Sequence, residues 1–453
     1  MQATVVVSQR AKTPLPEPAL TPIADLTPYR NNARTHSKKQ ITQIAKSIER
    51  FGFTNPVLID KHGAIIAGHG RVAAARQLGW SAVPTLRIDF LSDEEKRAYI
   101  LADNKLAENA GWDRELLAIE LNALIELKFD IEITGFETAE IDLILDEALE
   151  AKEDAPKDFV PEYNGNEAVC SAGNVWILGK HKLICGDARD ETVFSRLMGS
   201  EKAEFAFTDP PYNVPIDGHV CGLGRIRHKN FAMGCGEMTA AQFTLLLTTV
   251  FRNMSAYSAS GSIHQICMDW RHIDEMMLAG KAVYSELKNL VVWNKSNAGM
   301  GSFYRSKHEL IFIWKNGTAP HINNFELGQH GRNRTNVWDY AGVNTFGSGE
   351  RAHLALHPTV KPTALIIDAL KDCSRHGGIV FDPFAGSGTL ALAAERTGRR
   401  ARLIEIDPHY CDVAIRRWQS ATGKKAILFE TGREFDEIEG ELISPEKGDG
   451  SNG

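Results

Sequence analysis

Short apolar runs alternate with helical patterns from residue 205 to residue 429, and this alternation constrains the fold more than any other feature. The runs lie at 205–208, 263–267, 290–293, 310–314, 379–381, 402–406 and 427–429. Apolar residues recur at helical spacing over 239–257, 271–282, 362–375, 389–397 and 409–421. Strands separated by helices must cross over and lie parallel, whereas an antiparallel neighbour needs only a tight turn. The expected fold class of this half is α/β, a mostly parallel sheet with helices on both faces.

The first half reads differently. Ser37 and Gln40 open a helix whose residues Ile41, Ile44, Ala45, Ile48 and Phe51 share one face, and Gly52 closes it. Two apolar runs, 57–59 and 64–67, flank an Asp60-Lys61-His62-Gly63 turn and predict a hairpin. The second run enters Gly68-His69-Gly70-Arg71 and then an Ala-rich helix. Ser92 and Glu95 form a second capping box, after which helices dominate to residue 149. This predicts a smaller α+β domain with a helical extension over 21–148. Residues 149–168 gather Pro, Gly and charge and read as a linker, so the larger domain spans 169–433. Residues 1–20 and 434–453 lack periodicity and read as disordered tails.

Composition enters mainly by exclusion. No apolar run approaches the length of a membrane span and no secretory leader is evident, so the expected location is cytoplasmic, with no membrane partner. The seven cysteines are scattered without a CxxC pair, which disfavours both a disulfide framework and a zinc ribbon. His219, Cys221, His228 and Cys235 cluster in a Gly-rich stretch, but their spacing fits no standard zinc pattern, and no metal is expected. A formal net charge of −7 means that any contact with nucleic acid must come from local basic patches.

In a parallel sheet, ligands bind beyond the carboxyl ends of the strands, so the residues after each run carry the functional information. Asp209-Pro210-Pro211-Tyr212 follows one run, Asp382-Pro383-Phe384-Ala385-Gly386-Ser387-Gly388 another, and Glu405 ends a third. Gly386 and Gly388 allow close backbone approach to a ligand, and Glu405 is placed to accept hydrogen bonds from two ribose hydroxyls. Neither GxGxxG nor GxxxxGK[ST] is present, so the glycine loop suggests a nucleoside site rather than a phosphate cradle. Consecutive prolines remove two N–H donors, leaving carbonyls and the Asp209 carboxylate as acceptors that suit an amino group. Tyr212 offers a face on which a planar base can stack.

These segments resemble the amino-methylating DNA methyltransferases of the beta class, in which the catalytic motif precedes the cofactor loop; the resemblance covers about 169–433. It implies a Rossmann-like sheet and S-adenosylmethionine as cofactor. By the same resemblance, Asp209, Pro210, Pro211 and Tyr212 form the catalytic motif. Asp187, within Leu183-Ile184-Cys185-Gly186-Asp187-Ala188, would contact the cofactor's adenine. Thr359 and Lys361, within His357-Pro358-Thr359-Val360-Lys361-Pro362, would line its methionine end. Asp382, Phe384, Ala385, Gly386, Ser387, Gly388 and Glu405 would complete the cofactor site. The partner implied is double-stranded DNA, with the target base flipped out, and the reading leaves room for a homodimer. The family's cytosine-amino enzymes tend to carry Ser where this chain has Asp209, so adenine is the expected target and cytosine N4 the alternative.

Basic clusters at Arg225 and Arg227, Arg305 and Lys307, and Arg332 and Arg334 are candidates for DNA contact, with 316–356 the candidate target-recognition region. Residues 21–110 resemble the ParB and sulfiredoxin-like domains through Asn32-Ala33-Arg34, Gly68-His69-Gly70-Arg71 and Ala102-Asp103-Asn104-Lys105. Gly68, Gly70 and Arg71 form a candidate anion site at a helix N-terminus. No cysteine stands in that half, which removes sulfiredoxin chemistry. A ParB-like DNA-binding switch with a vestigial methylase is the competing reading.

Overall fold

The structure is a computed structural model that describes residues 16–127, 129–150, 167–214, 236–296, 303–325, 334–341 and 361–443. The chain divides into two compact units, Met1–Ala148 and Leu149–Gly453.

The first unit holds a four-stranded sheet of β1 (Pro18–Pro22), β2 (Val57–Ile59), β3 (Ile65–Ala67) and β4 (Ala82–Arg87), in the order β1-β4-β2-β3. Strands β2 and β3 form the expected antiparallel hairpin. In the helix Lys38–Phe51, Ser37 caps the Gln40 amide, and in Asp93–Glu108 both halves of the Ser92–Glu95 capping box are made. Strand β1 corrects the expectation of a tail over residues 1–20. It pairs antiparallel with β4, Thr21 meets Thr85 hydroxyl to hydroxyl at 2.7 Å, and Ile23 behind it enters the core. Its prolines are tolerated because it lies at the sheet edge, where one side needs no N–H donors.

The second unit contains ten strands: β5 (Val175–Leu178), β6 (His181–Cys185), β7 (Ala203–Thr208), β8 (Ser258–Met268), β9 (Glu286–Asn294), β10 (His308–Lys315), β11 (Val337–Asp339), β12 (Ile379–Asp382), β13 (Arg400–Glu405) and β14 (Ile427–Leu428). Their order is β11-β9-β10-β8-β7-β12-β13-β6-β5-β14. The centre, from β8 to β6, is parallel throughout. The flanks are mixed, because β10 runs antiparallel between β8 and β9, and β5 lies antiparallel to both β6 and β14. The sheet is thus α/β and Rossmann-like with a parallel core. The β5–β6 hairpin escaped the sequence reading because its apolar halves, 175–178 and 183–185, are very short and are separated by Gly179, Lys180, His181 and Lys182.

Successive residues of the central strands enter opposite cores. Phe205, Phe207, Val380 and Leu403 face one cluster, which also takes residues from the helices Thr363–Cys373, Thr389–Arg396 and Pro408–Thr422. Ala206, Phe381 and Ile404 face the other, with residues of Glu191–Met198, Ala240–Ala256 and Ile273–Val283. Burial on both sides explains why these strands read as continuous apolar runs rather than alternating ones.

The expected tail over 434–453 is also corrected, since Phe435–Ile443 is a helix. Phe435 is fully buried, with its ring 5.3 Å from that of Trp176, and this contact anchors the helix. Among the described residues, no helix is long and apolar enough to cross a membrane.

Candidate active site

The parallel order β7-β12-β13-β6 sets the ends of four strands side by side, and Asp209, Asp382, Glu405 and Asp187 all stand at or just beyond those ends. The 209–212 motif and the glycine loop are tied together directly. Thr208 Oγ1 donates to Asp382 Oδ1 at 2.7 Å, and the same oxygen accepts from the Phe384 amide at 3.0 Å. Burial pushes the Asp382 carboxyl up to about 7, against the lowering effect of these two donors.

The loop after β12 is built to fit against β13. The Ala385 amide donates to the Ile404 carbonyl at 2.9 Å, and the Gly386 amide donates to Glu405 Oε2 at 2.7 Å. Glu405 Oε1 accepts from the Asp407 amide at 2.9 Å, and burial raises this carboxyl to about 7. Gly388 has φ +76°, and a Cβ there would stand 2.8 Å from the Ala414 Cβ, so both conformation and space demand glycine. Gly386 has φ +51° with open space where a side chain would project. A carboxylate held by backbone amides beside an open glycine backbone fits the ribose and adenosyl portion of S-adenosylmethionine. Ser387 faces inward, because buried Arg417 donates to its carbonyl at 3.2 Å and its hydroxyl at 3.0 Å. Asp187 is chelated by Arg189, with Nε at 3.0 and 2.9 Å from its two oxygens.

Asp209 lies in a ring of polar groups. Its Oδ1 accepts from the Tyr212 hydroxyl, and its Oδ2 is 2.7 Å from Lys361 Nζ. Lys361 is also 2.7 Å from Glu309 Oε2, and that oxygen accepts from the Tyr212 hydroxyl at 3.2 Å. Lys295 pairs with Glu309 Oε1 and lies 4.7 Å from the centre of the Trp293 ring. Burial pushes the Asp209 carboxyl up, opposed by Lys361 and reinforced by Glu309. Burial alone would raise Glu309 too, but Lys361 and Lys295 outweigh it and hold the carboxyl down at about 2. Lys361 is held firmly protonated, because the Asp209 and Glu309 carboxylates overcome its desolvation.

The next residue, Asn213, adopts φ +51°, a conformation in which Asn is among the tolerated non-glycine residues. Its Oδ1 accepts from the Gly236 and Met238 amides at 3.1 Å each, and its Nδ2 donates to the Met238 carbonyl at 2.8 Å. The motif is therefore clamped to the residues that lead into the helix Ala240–Ala256.

The structure brings together Asp209, Pro210, Pro211, Tyr212, Asp382, Phe384, Gly386 and Glu405 as the sequence suggested. Lys361 sits on Asp209. Arg305 and Lys307 are exposed beside the β10 strand that carries Glu309. Arg334 departs from the expectation of a DNA contact: its guanidinium is committed to Asp372 at 3.1 Å and Tyr340 at 3.0 Å, and it covers the Trp338 ring. Thr359, Arg225, Arg227 and Arg332, and the cluster His219, Cys221, His228 and Cys235, lie outside the described residues, as do most of the 149–168 linker and much of 316–356. In the first unit, Gly68 at φ +106° caps the helix His69–Gln77, and Arg71 turns back to donate to the Pro56 carbonyl at 3.3 Å. Sequence reasoning missed Glu309, Lys295 and Thr208. Glu309 stands just before the apolar run 310–314, where it reads as an ordinary polar strand end, and only the tertiary contacts with Tyr212 and Lys361 show what it faces.

Comparison with protein families matches residues 203–416 to a family described as DNA methylase. Residues 14–105 match the ParB N-terminal domain, and 115–172 match the ParB-methyltransferase HTH domain. The helix-turn-helix assignment is new relative to the sequence reading, which saw only helices there. The ParB-like nuclease domain-containing protein YnaK of Escherichia coli (strain K12) is 54% identical over 76 residues, covering 17% of this chain and 87% of YnaK. DNA adenine methyltransferase YhdJ of the same strain is 25% identical over 276 residues, covering 53% of this chain and 83% of YhdJ. Among solved structures, the cytosine-N4-specific PvuII DNA methyltransferase superposes with a TM-score of 0.40 at 13% identity, covering 62% of this chain and 95% of that one.

Proposed function

This chain belongs to the N4/N6 DNA methylases and carries a ParB N-terminal domain, and from that premise we propose that it methylates the exocyclic amino group of adenine in DNA. The observation that carries the reading is the Asp209 carboxylate, which follows the strand next to the one that ends in the 382–388 loop and is joined to that loop through Thr208.

S-adenosylmethionine supplies, when bound, a methyl group on a positively charged sulfur. Gly386 and Glu405 would hold its ribose, with Asp187 beside its adenine. The chain's own task is then to present a poorly nucleophilic aromatic amine in one orientation. Asp209 and the Pro210 carbonyl accept hydrogen bonds from the amino group and so favour exposure of the nitrogen lone pair. The nitrogen loses a proton as it gains the methyl group, and Asp209 is placed to take that proton and pass it to water. Burial raises the affinity of Asp209 for a proton, which suits it to this role. Tyr212, fixed through its hydroxyl, presents its ring to a flipped-out base. Arg305 and Lys307 are the basic side chains we assign to the DNA backbone. Adenine rather than cytosine rests on the Asp at 209, where cytosine-amino members of the resembling family tend to carry Ser.

The test is incubation with methyl-labelled cofactor and mixed-sequence double-stranded DNA, followed by digestion and separation of nucleosides. Label in N6-methyladenine is the expected result. Label in N4-methylcytosine alone would reassign the base, and no label on any sequence would favour a DNA-binding role for the ParB-like unit.

A further inference from the structure

The ring around Asp209 holds more than the reaction needs. A hydrogen-bonding carboxylate suffices to orient an amine, yet a second carboxylate and two lysines share the site. Both Asp209 oxygens are engaged, one by the Tyr212 hydroxyl and the other by Lys361. A substrate amino group must displace one of these partners or share an oxygen with it. Lys361 has an alternative at the same distance, since Glu309 Oε2 lies 2.7 Å from its Nζ. Tyr212 likewise reaches both carboxylates. Lys295 on the far oxygen of Glu309 keeps that residue in place as a standing anion.

Building on the methyl-transfer reading, we propose that Glu309 and Lys361 are positioning residues that set the acceptor strength of Asp209. Lys361 restrains Asp209 while no amine is bound, and passes to Glu309 when an amino group claims the Asp209 oxygen. Two carboxylates and two ammonium groups leave the quartet neutral, so the exchange moves a hydrogen bond without creating an unpaired buried charge. The shared lysine also limits how far burial can raise Asp209. Without Lys361, burial and Glu309 would push the carboxyl further up, and a protonated carboxyl is a weaker acceptor than the carboxylate. Without Glu309 the lysine would bind Asp209 alone and hold it against the incoming amine. The other groups facing Asp209 are Tyr212 on its own segment, the Cys267 thiol on β8 and Asp382 at the end of β12. Tyr212 and Cys267 are driven by burial to stay neutral, which leaves Lys361, Glu309 and Asp382 as the charged neighbours that can tune it.

The test is titration of Asp209 in the full-length chain carrying 13C-labelled aspartate carboxyls, with the resonance assigned by its loss in Asp209→Asn. Glu309→Gln should lower the Asp209 midpoint by about one pH unit, and Lys361→Met should raise it by about one to three units. Lys361→Arg should keep it within a few tenths of a unit, which separates loss of charge from damage to the fold. Midpoints that stay put in both charge-removing variants, or move the same way, would overturn the proposal. Methyl transfer by the same proteins supplies a second readout, because the acid limb of its pH profile should follow the midpoints in opposite directions. Absence of any transfer by the unsubstituted chain would count against the proposed function alone, since the titration needs neither cofactor nor DNA.

Discussion

Thr208 Oγ1 and Asp382 Oδ1 stand 2.7 Å apart, and this one hydrogen bond joins the strand that delivers Asp209 to the loop that carries the glycine turn. Both residues are buried. Thr208→Val preserves the side-chain shape and removes the donor, leaving Asp382 with the Phe384 amide. The expected cost is about 1–3 kcal/mol of stability, because a buried acceptor loses one of its partners. Urea unfolding would measure it. Calorimetric titration with S-adenosylmethionine should show weaker binding as the loop loses its tether, and unchanged values in both experiments would remove the link from the account.

Asp209→Ala should abolish transfer, by at least about 100-fold, since the acceptor that orients the amine is gone. Cofactor affinity should change little, because the loop at 384–388 and Glu405 are built independently of this carboxylate. The fold should also survive, as Lys361 keeps Glu309 as a partner. Retained turnover would take Asp209 out of the chemistry.

Gly388→Ala introduces a methyl group 2.8 Å from the Ala414 Cβ at a backbone φ of +76°. Strain of this kind costs on the order of 1–3 kcal/mol. The distortion falls on the turn that begins the helix Thr389–Arg396, so cofactor binding should weaken together with thermal stability. Gly386→Ala meets no neighbouring atom and should weaken cofactor binding with a smaller loss of melting temperature.

His264 is fully buried among Ser258, Ser262 and Tyr284, and burial lowers its pKa from 6.5 to about 3. A group depressed in the folded state stays neutral there while the unfolded chain takes up a proton. Its contribution is therefore complete above 6.5 and is lost as pH falls toward 3, with a slope approaching about 1.4 kcal/mol per pH unit. Chemical unfolding at a series of pH values should show this slope, and His264→Asn should flatten it while lowering stability at neutral pH. An equal slope in the variant would assign the acid sensitivity to other groups.

Arg305 and Lys307 are exposed on the segment leading into β10, next to the exposed aromatic pair Phe303 and Tyr304. If they neutralise phosphates, each alanine variant should reduce the slope of log affinity against log salt by about one for duplex DNA, largely independent of sequence. Arg334→Ala should instead lower stability, because its guanidinium braces Asp372 and Tyr340 inside the fold. Equal slopes for the wild type and the Arg305 and Lys307 variants would place DNA elsewhere.

The local sequence determined a good deal of this protein. Apolar runs of strand length between helical patterns fixed a sheet covered on both faces, and their ends marked the 209–212 motif, the 382–388 loop and Glu405, because a strand's carboxyl end is a local property. Two tails were misjudged at their inner ends, where a few residues outside any long pattern meet structure built by distant segments: Pro18–Leu20 pair with β4, and Phe435 enters a core. The antiparallel insertion of β10 between β8 and β9 left no local sign either, since a run buried on both faces reads the same in either direction. That insertion brings Glu309 from β10, with Lys295 just beyond β9, to Asp209, while Lys361 arrives from the segment that opens the helix Thr363–Cys373, 152 residues beyond the carboxylate. Residue types and turns were written in the sequence. The charge balance around the carboxylate was decided by the tertiary fold, because Coulomb forces act through space and record nothing in the spacing of residues along the chain.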